Sequence, residues 1–159
     1  MTQPPVTGFY RTPVRVHWAD TDAAGIVWFG NYLRYFEEAE DDLFRALGET
    51  RLALRRDHGI LMPRVDATCR YRSPARAEEV LSIGIAIKDL TSRRIAYQFE
   101  ARACGDDRIV CEGEYRVACV DAETMKPREF PEAVRALLAR VPTLVSRRRM
   151  DSRTRHRIS

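Results

Sequence analysis

A chain of 159 residues has the length of one domain, for which about 100–200 residues is usual; with 45% apolar and 31% charged residues it can bury one core without disulfide or metal staples. No apolar run approaches the ~18 residues of a membrane-spanning helix, and Met1-Thr-Gln-Pro-Pro-Val6 lacks the basic and apolar segments of a secretion signal, so a cytoplasmic protein with no membrane partner is expected. The net charge of +4 is uneven: beyond Val145 six arginines (Arg147, Arg148, Arg149, Arg153, Arg155 and Arg157) stand against Asp151, leaving the rest of the chain with one surplus negative charge.

In chain order, Val14, Val16 and Trp18 alternate with Arg15 and His17, which predicts a half-buried first strand. The stretch Asp20-Thr-Asp-Ala-Ala-Gly25 breaks that alternation. From Asn31 the period changes: Tyr32, Phe36, Ala39, Leu43 and Leu47 share one helical face, with Arg34, Glu37, Glu38, Asp41, Asp42 and Arg45 opposite. Gly30 or Asn31 can cap this helix at its start and Gly48 at its end. A shorter helix is expected over 49–57. After Pro63 four strands follow in succession: Val65, Ala67, Cys69 and Tyr71; then Leu81, Ile83, Ile85 and Ile87; then Ile95, Tyr97, Phe99, Ala101 and Ala103; then 109–120, entered through the hairpin turn Gly105-Asp106-Asp107. A closing helix over 132–140 starts at Pro131. Consecutive strands with no helix between them imply an antiparallel sheet, and the apolar face of the single long helix must bury against it. The fold class is α+β, in one domain at 1–142. The basic 143–159 segment reads as a flexible tail; it carries no aromatic for base stacking, so no nucleic-acid partner is expected.

The four cysteines form no CxxC pair and read as free thiols in a reducing compartment, with a Cys104–Cys111 link left open. His17, His58 and His156 are too scattered for a metal site. Chemistry concentrates instead in 17–32. Two carboxylates, Asp20 and Asp22, lie between a strand end and the start of the long helix. Backbone N–H groups in a first helical turn lack intrahelical partners and carry the positive dipole end, so they can stabilise an oxyanion on a thioester or ester carbonyl. A nearby carboxylate can activate water or attack directly. Spacing alone leaves a second reading open, in which both acids are turn residues bonding their own backbone.

Asp20, Asp22, Gly25, Ile26, Val27, Trp28, Phe29 and Tyr32 fill each fixed position of a D-x-D-x-x-G-[IV]-V-[WY]-aromatic-x-x-Y signature, and the stretch resembles the 4-hydroxybenzoyl-CoA thioesterase family of hotdog-fold enzymes. The likeness continues through Met62-Pro63, Tyr71, Pro74-Ala75-Arg76, Val120-Asp121 and Pro131. It implies a five-stranded antiparallel sheet around the long helix, homodimers assembling into homotetramers, and hydrolysis of acyl-CoA thioesters without cofactor or metal. It places the essential carboxylate at Asp22, as nucleophile or general base, and makes Asp20 a structural partner. The Phe29 backbone N–H becomes the oxyanion donor. Gly25, Trp28, Tyr32 and Met62 become substrate contacts, and Arg93 with Arg94, in Thr91-Ser-Arg-Arg94, a cationic contact for the CoA phosphates. On the residues alone, Trp28 and Phe29 serve equally as core aromatics, and Arg93 and Arg94 as a solvated turn.

Two departures bear on substrate. Short-chain members carry His where this chain has Phe29, which favours an aromatic or bulky acyl group. The hydroxybenzoyl branch has Thr where this chain has Met62, so a ring without a 4-hydroxy group, or an aliphatic acyl chain, remains in play. The rivals are a non-catalytic acyl-CoA or acyl-carrier binding module on the same fold, a nucleic-acid binder driven by the tail, and a dehydratase, which needs a histidine that the 17–32 motif lacks at the helix start.

Overall fold

Residues 8–144 are described by the structure, a computed structural model; the Arg-rich run from Arg147 onward, and with it the tail reading, lies outside them. Strands β1 (Tyr10–Arg15), β3 (Arg64–Tyr71), β4 (Val80–Leu90), β5 (Arg94–Ala103) and β6 (Ile109–Ala118) form one sheet in the order β1-β4-β5-β6-β3. Each neighbouring pair in it is antiparallel. Helix α1 (Asn31–Ala46) packs on one face of this sheet, the architecture that the resemblance implies.

The alternation in β4 and β5 explains why α1 sits where it does. Ile83, Ile85, Tyr97, Phe99 and Ala101 are all fully buried toward the helix, and each large side chain of this kind contributes about 1.5–3 kcal/mol by leaving water. Phe36 of α1 stacks on Phe99 with ring centroids 4.8 Å apart. Gly113 makes room for it, since a Cβ there would lie 2.6 Å from the Phe36 ring. Polar ties fix the helix's rotation: Tyr115 donates to the Leu33 carbonyl at 2.7 Å, while Tyr10 and Thr12 both donate to Asp42 at 2.9 and 2.8 Å.

Several expectations need correction. The first strand ends at Arg15, and Trp18 sits in a 3-10 turn with 85% exposure, so it is not an inward strand residue. Val65 and Tyr71 are 58% and 50% exposed: their strand, β3, is at the sheet edge, and alternation reports a period without reporting what covers it. Helix α2 (Arg51–His58) starts later than expected because the Thr50 side chain caps it, accepting from Ala53 N–H at 3.0 Å. A two-residue ladder joins β2 (Ile60–Leu61) to β7 (Val120–Asp121), splitting the expected last strand. The closing helix α3 spans Glu132–Leu138. Thr143, assigned to the tail by sequence, bridges Ile87 in parallel, with Ile87 N–H bonded to the Pro142 carbonyl and Leu144 N–H to the Ile87 carbonyl. All four thiols are free, and Cys111 lies opposite Ala101 rather than Cys104.

Candidate active site

The 17–30 segment is built from the two aspartates outward. Asp20 is only 6% exposed, and its carboxylate accepts from His17 N–H at 2.9 Å and the Tyr35 hydroxyl at 2.8 Å, and pairs with Arg34. Burial by itself would raise its pKa, but the His17 N–H, Tyr35 and Arg34 together hold it below the usual value. The Asp20 carbonyl adds two more ties, accepting Trp28 N–H and the Asn31 side chain, both at 2.9 Å. Asp20 therefore stitches the loop to the start of α1.

Asp22 differs in nearly every respect. It opens a tight turn closed by the Thr21–Val27 bridge, by Asp22 N–H to the Ile26 carbonyl, and by Gly25 N–H to the Asp22 carbonyl, each hydrogen bond 2.9 Å long. Gly25 takes φ +74°, which a side-chain-bearing residue adopts only with strain, and it ends the turn there. Asp22 is exposed; its Oδ1 accepts Ala24 N–H at 2.8 Å, while Oδ2 has no protein partner among the described residues. One oxygen thus serves the turn and the other is open, so the structural and the chemical reading of this residue coexist.

Helix α1 begins after Gly30, with no side chain capping it. Trp28 accepts Asn31 N–H at 2.9 Å, whereas the N–H groups of Phe29 and Gly30 have no partner among the described residues. Asp22 and Phe29 line one cleft of about 500 Å³, together with Ile26, Val27, Tyr32, Tyr71 and Arg72 through Pro74. Its wall is aromatic: Tyr71 lies 6.4 Å from the Phe29 ring and 5.6 Å from that of Tyr32. Tyr32 is buried, while Phe29 is 62% exposed, which fits a surface awaiting a ligand better than a core position. Trp28 does not line the cleft; it packs on Phe29 at 4.9 Å and over Gly30, where a side chain would collide with its ring. Gly25 shapes the turn without lining the cleft.

The remaining sequence candidates lie elsewhere. Met62 lines a separate hollow of about 250 Å³ with Leu54, Ile60, Leu61, Pro63 and Met125. Arg93 and Arg94 sit exposed at the β4–β5 turn, where Thr91 Oγ1 accepts the N–H of both, and neither forms an ion pair among the described residues. Met62 lies just before β3 and Tyr71 ends that strand of 8 residues, a length of about 26 Å at ~3.3 Å per residue. Met62, Arg93 and Arg94 thus occupy the opposite end of the sheet from Tyr71. Among the described residues no cluster of three or more His, Cys, Asp or Glu could hold a metal ion, and no helix is long and apolar enough to cross a membrane.

Sequence reasoning missed one buried carboxylate. Glu40, wholly buried in α1, pairs with Arg64 of β3 and lies 3.8 Å from Arg51 of α2. Its Oε1 and the buried Tyr97 hydroxyl have no hydrogen-bond partner among the described residues. Glu40 comes four residues after Phe36 and three before Leu43, so its place on the apolar stripe was available from the spacing.

The chain is similar to known proteins in both sequence and fold. An acyl-CoA thioester hydrolase, YbgC of Escherichia coli O157:H7, is 30% identical over 128 residues, covering 80% of this chain and 94% of its own. A 1,4-dihydroxy-2-naphthoyl-CoA hydrolase of Thermosynechococcus vestitus is 28% identical over 148 residues, covering 93% of this chain and 99% of its own. In fold, a crystal structure from the thioesterase superfamily of Jannaschia sp. CCS1 superposes with a TM-score of 0.78 at 23% identity, over 90% of this chain and 100% of that one. Residues 16–138 match the thioesterase-like superfamily as a whole, from the end of β1 through α3, and the chain belongs to that family.

Proposed function

We propose that this chain hydrolyses an aromatic or bulky acyl-CoA thioester to the free acid and CoA, with Asp22 as nucleophile or general base. The enzyme class rests on family membership and on relatives named for acyl-CoA thioester hydrolysis. One observation carries the site: Asp22, with one carboxylate oxygen unpartnered among the described residues, and Phe29, with its N–H likewise unpartnered among them, line the same aromatic cleft. The Phe29 N–H polarises the thioester carbonyl and takes up the negative charge as the tetrahedral intermediate forms. Asp22 Oδ2 either attacks that carbonyl and expels the CoA thiolate, leaving a mixed anhydride that water then hydrolyses, or removes a proton from the water whose attack expels the thiolate. Phe29, Tyr32 and Tyr71 favour a planar acyl group over a thin aliphatic one.

The separation of Met62, Arg93 and Arg94 from Asp22 supports an assembled site. Edge strand β3 leaves Val65 and Tyr71 exposed. Antiparallel pairing of β3 with the same strand of a second copy brings the start of one strand to the end of the other. The partner's Met62 then approaches the Tyr71 end of this cleft, as in a homodimer that can pair again into a homotetramer, and the Arg93–Arg94 turn reaches toward the CoA phosphates. The reading requires no metal or prosthetic group, and the chain acts in the cytoplasm.

Release of free thiol from a panel of benzoyl-, phenylacetyl- and aliphatic-CoA thioesters tests this. The aromatic members are expected to give the highest kcat/KM. Preference for short or medium aliphatic chains would replace the substrate while leaving the reaction. No turnover of any thioester, with acyl-CoA still bound, would favour a non-catalytic binding module.

A further inference from the structure

Phe29 is held in an unusual way for a residue with a working backbone N–H. The residue is 62% exposed, so burial in the core does not set its backbone. The two peptide groups flanking it are pinned instead through their carbonyls. On one side the Trp28 carbonyl accepts Asn31 N–H at 2.9 Å. On the other, the Phe29 carbonyl accepts the Tyr71 hydroxyl at 3.1 Å. A peptide group is planar, so a hydrogen bond at each carbonyl restrains the tilt of its plane, and restraining both planes narrows φ and ψ of the residue between them. The first pin is internal to the helix start. The second crosses the cleft from the last residue of edge strand β3 and is the sole polar contact between Phe29 and β3 among the described residues.

We propose that Tyr71 is a positioning residue for thioester hydrolysis: its hydroxyl latches the Phe29 carbonyl and so aims the Phe29 N–H at the place where the oxyanion forms. The inference rests on the Asp22–Phe29 cleft being the active site. The latch keeps its proton throughout the neutral range, because burial and the neighbouring Cys69 thiol push the Tyr71 hydroxyl up to about 12. A second contribution comes from the ring, which forms the cleft wall facing Phe29 and Tyr32. The hydroxyl is therefore expected to act on kcat and the ring on KM. Tyr71 is half exposed, so neither substitution below removes core packing.

The test uses the full chain, a benzoyl-CoA thioester and three variants. Tyr71→Phe keeps the ring and loses the latch; kcat is expected to fall about tenfold, the scale of a small misplacement of a catalytic group, with KM and melting temperature unchanged. Tyr71→Ala is expected to lower kcat as much and raise KM as well. Independently of turnover, the carbonyl-carbon NMR resonance of Phe29 is expected to move in Tyr71→Phe while those of β5 stay in place. A Tyr71→Phe enzyme with parental kcat overturns the proposal, as does an unmoved Phe29 resonance, or a loss expressed in KM alone. Asp22→Asn separates the two layers of argument: retained turnover there refutes the cleft as the active site, whereas lost turnover beside an unaffected Tyr71→Phe refutes only the latch.

Discussion

The start of α1 and its middle treat carboxylates in opposite ways. At the start, buried Asp20 has three donors and its neighbour Asp22, two residues on, has one backbone donor and an open oxygen. In the middle, Glu40 is sunk wholly into the core with two arginines for company and one oxygen unpaired. A fully bonded carboxylate holds a loop, a buried underbonded one holds a helix against an edge strand, and only the exposed one is free to meet a substrate.

Substitutions sharpen this contrast. The largest effect is expected at Asp22→Asn: a loss in kcat of about 10³-fold, within the usual ~10²–10⁴ for a general base, with an unfolding midpoint equal to the parent's in denaturant titration. Glu40→Ala reverses the pattern. It strands Arg64 beside the core and is expected to cost about 3 kcal/mol of stability, read by the same titration, with acyl-thioester KM little changed. Asp20→Ala is expected to fall between the two in character. Losing an acceptor for charged and backbone donors costs about 2 kcal/mol, and because the loop carries Asp22, activity falls with it. Equal stability of parent and Asp20→Ala would break the claim that Asp20 stitches the loop.

The smallest effects are in pH. Asp20 is held below its ordinary value of 3.8, burial notwithstanding, by His17 N–H, Tyr35 and Arg34. The stability it lends is present above pH 3.8 and disappears as pH falls through the lower folded value. Glu40 has the opposite sign, since burial raises it above its ordinary 4.5 despite Arg64 and Arg51. Its contribution is complete below pH 4.5 and is lost as pH rises through the higher folded value. Unfolding midpoints of the parent, Asp20→Asn and Glu40→Gln across this range should diverge in those two directions; parallel curves would refute both assignments.

Much of the fold was legible in the residues. The spacing from Tyr32 to Leu47 predicts α1 to within a residue at its end, and alternation predicts β4, β5 and most of β6. The misplaced apolar residues share one physical cause. Alternation continues through Trp18 and along Val65 to Tyr71, but whether an apolar residue is covered depends on where its strand falls in the sheet, which is a long-range property. The β2–β7 ladder is too short to show a period. Near the cleft, the motif led to Asp22 and Phe29. It was silent on Arg34 as the partner of Asp20 and on Tyr71 as the partner of Phe29, because those contacts span 14 and 42 residues.

The missing side chain at Gly113 has a consequence for any attempt to improve this protein. Filling that notch with even a methyl group pushes on Phe36 from one side and on the Thr68 carbonyl from the other, lifting the central rod away from the sheet. The same rod starts two residues after Phe29, whose amide is proposed to face the substrate, so a push at one wall would carry through to that amide. Selection for heat resistance and selection for turnover therefore both keep that position bare.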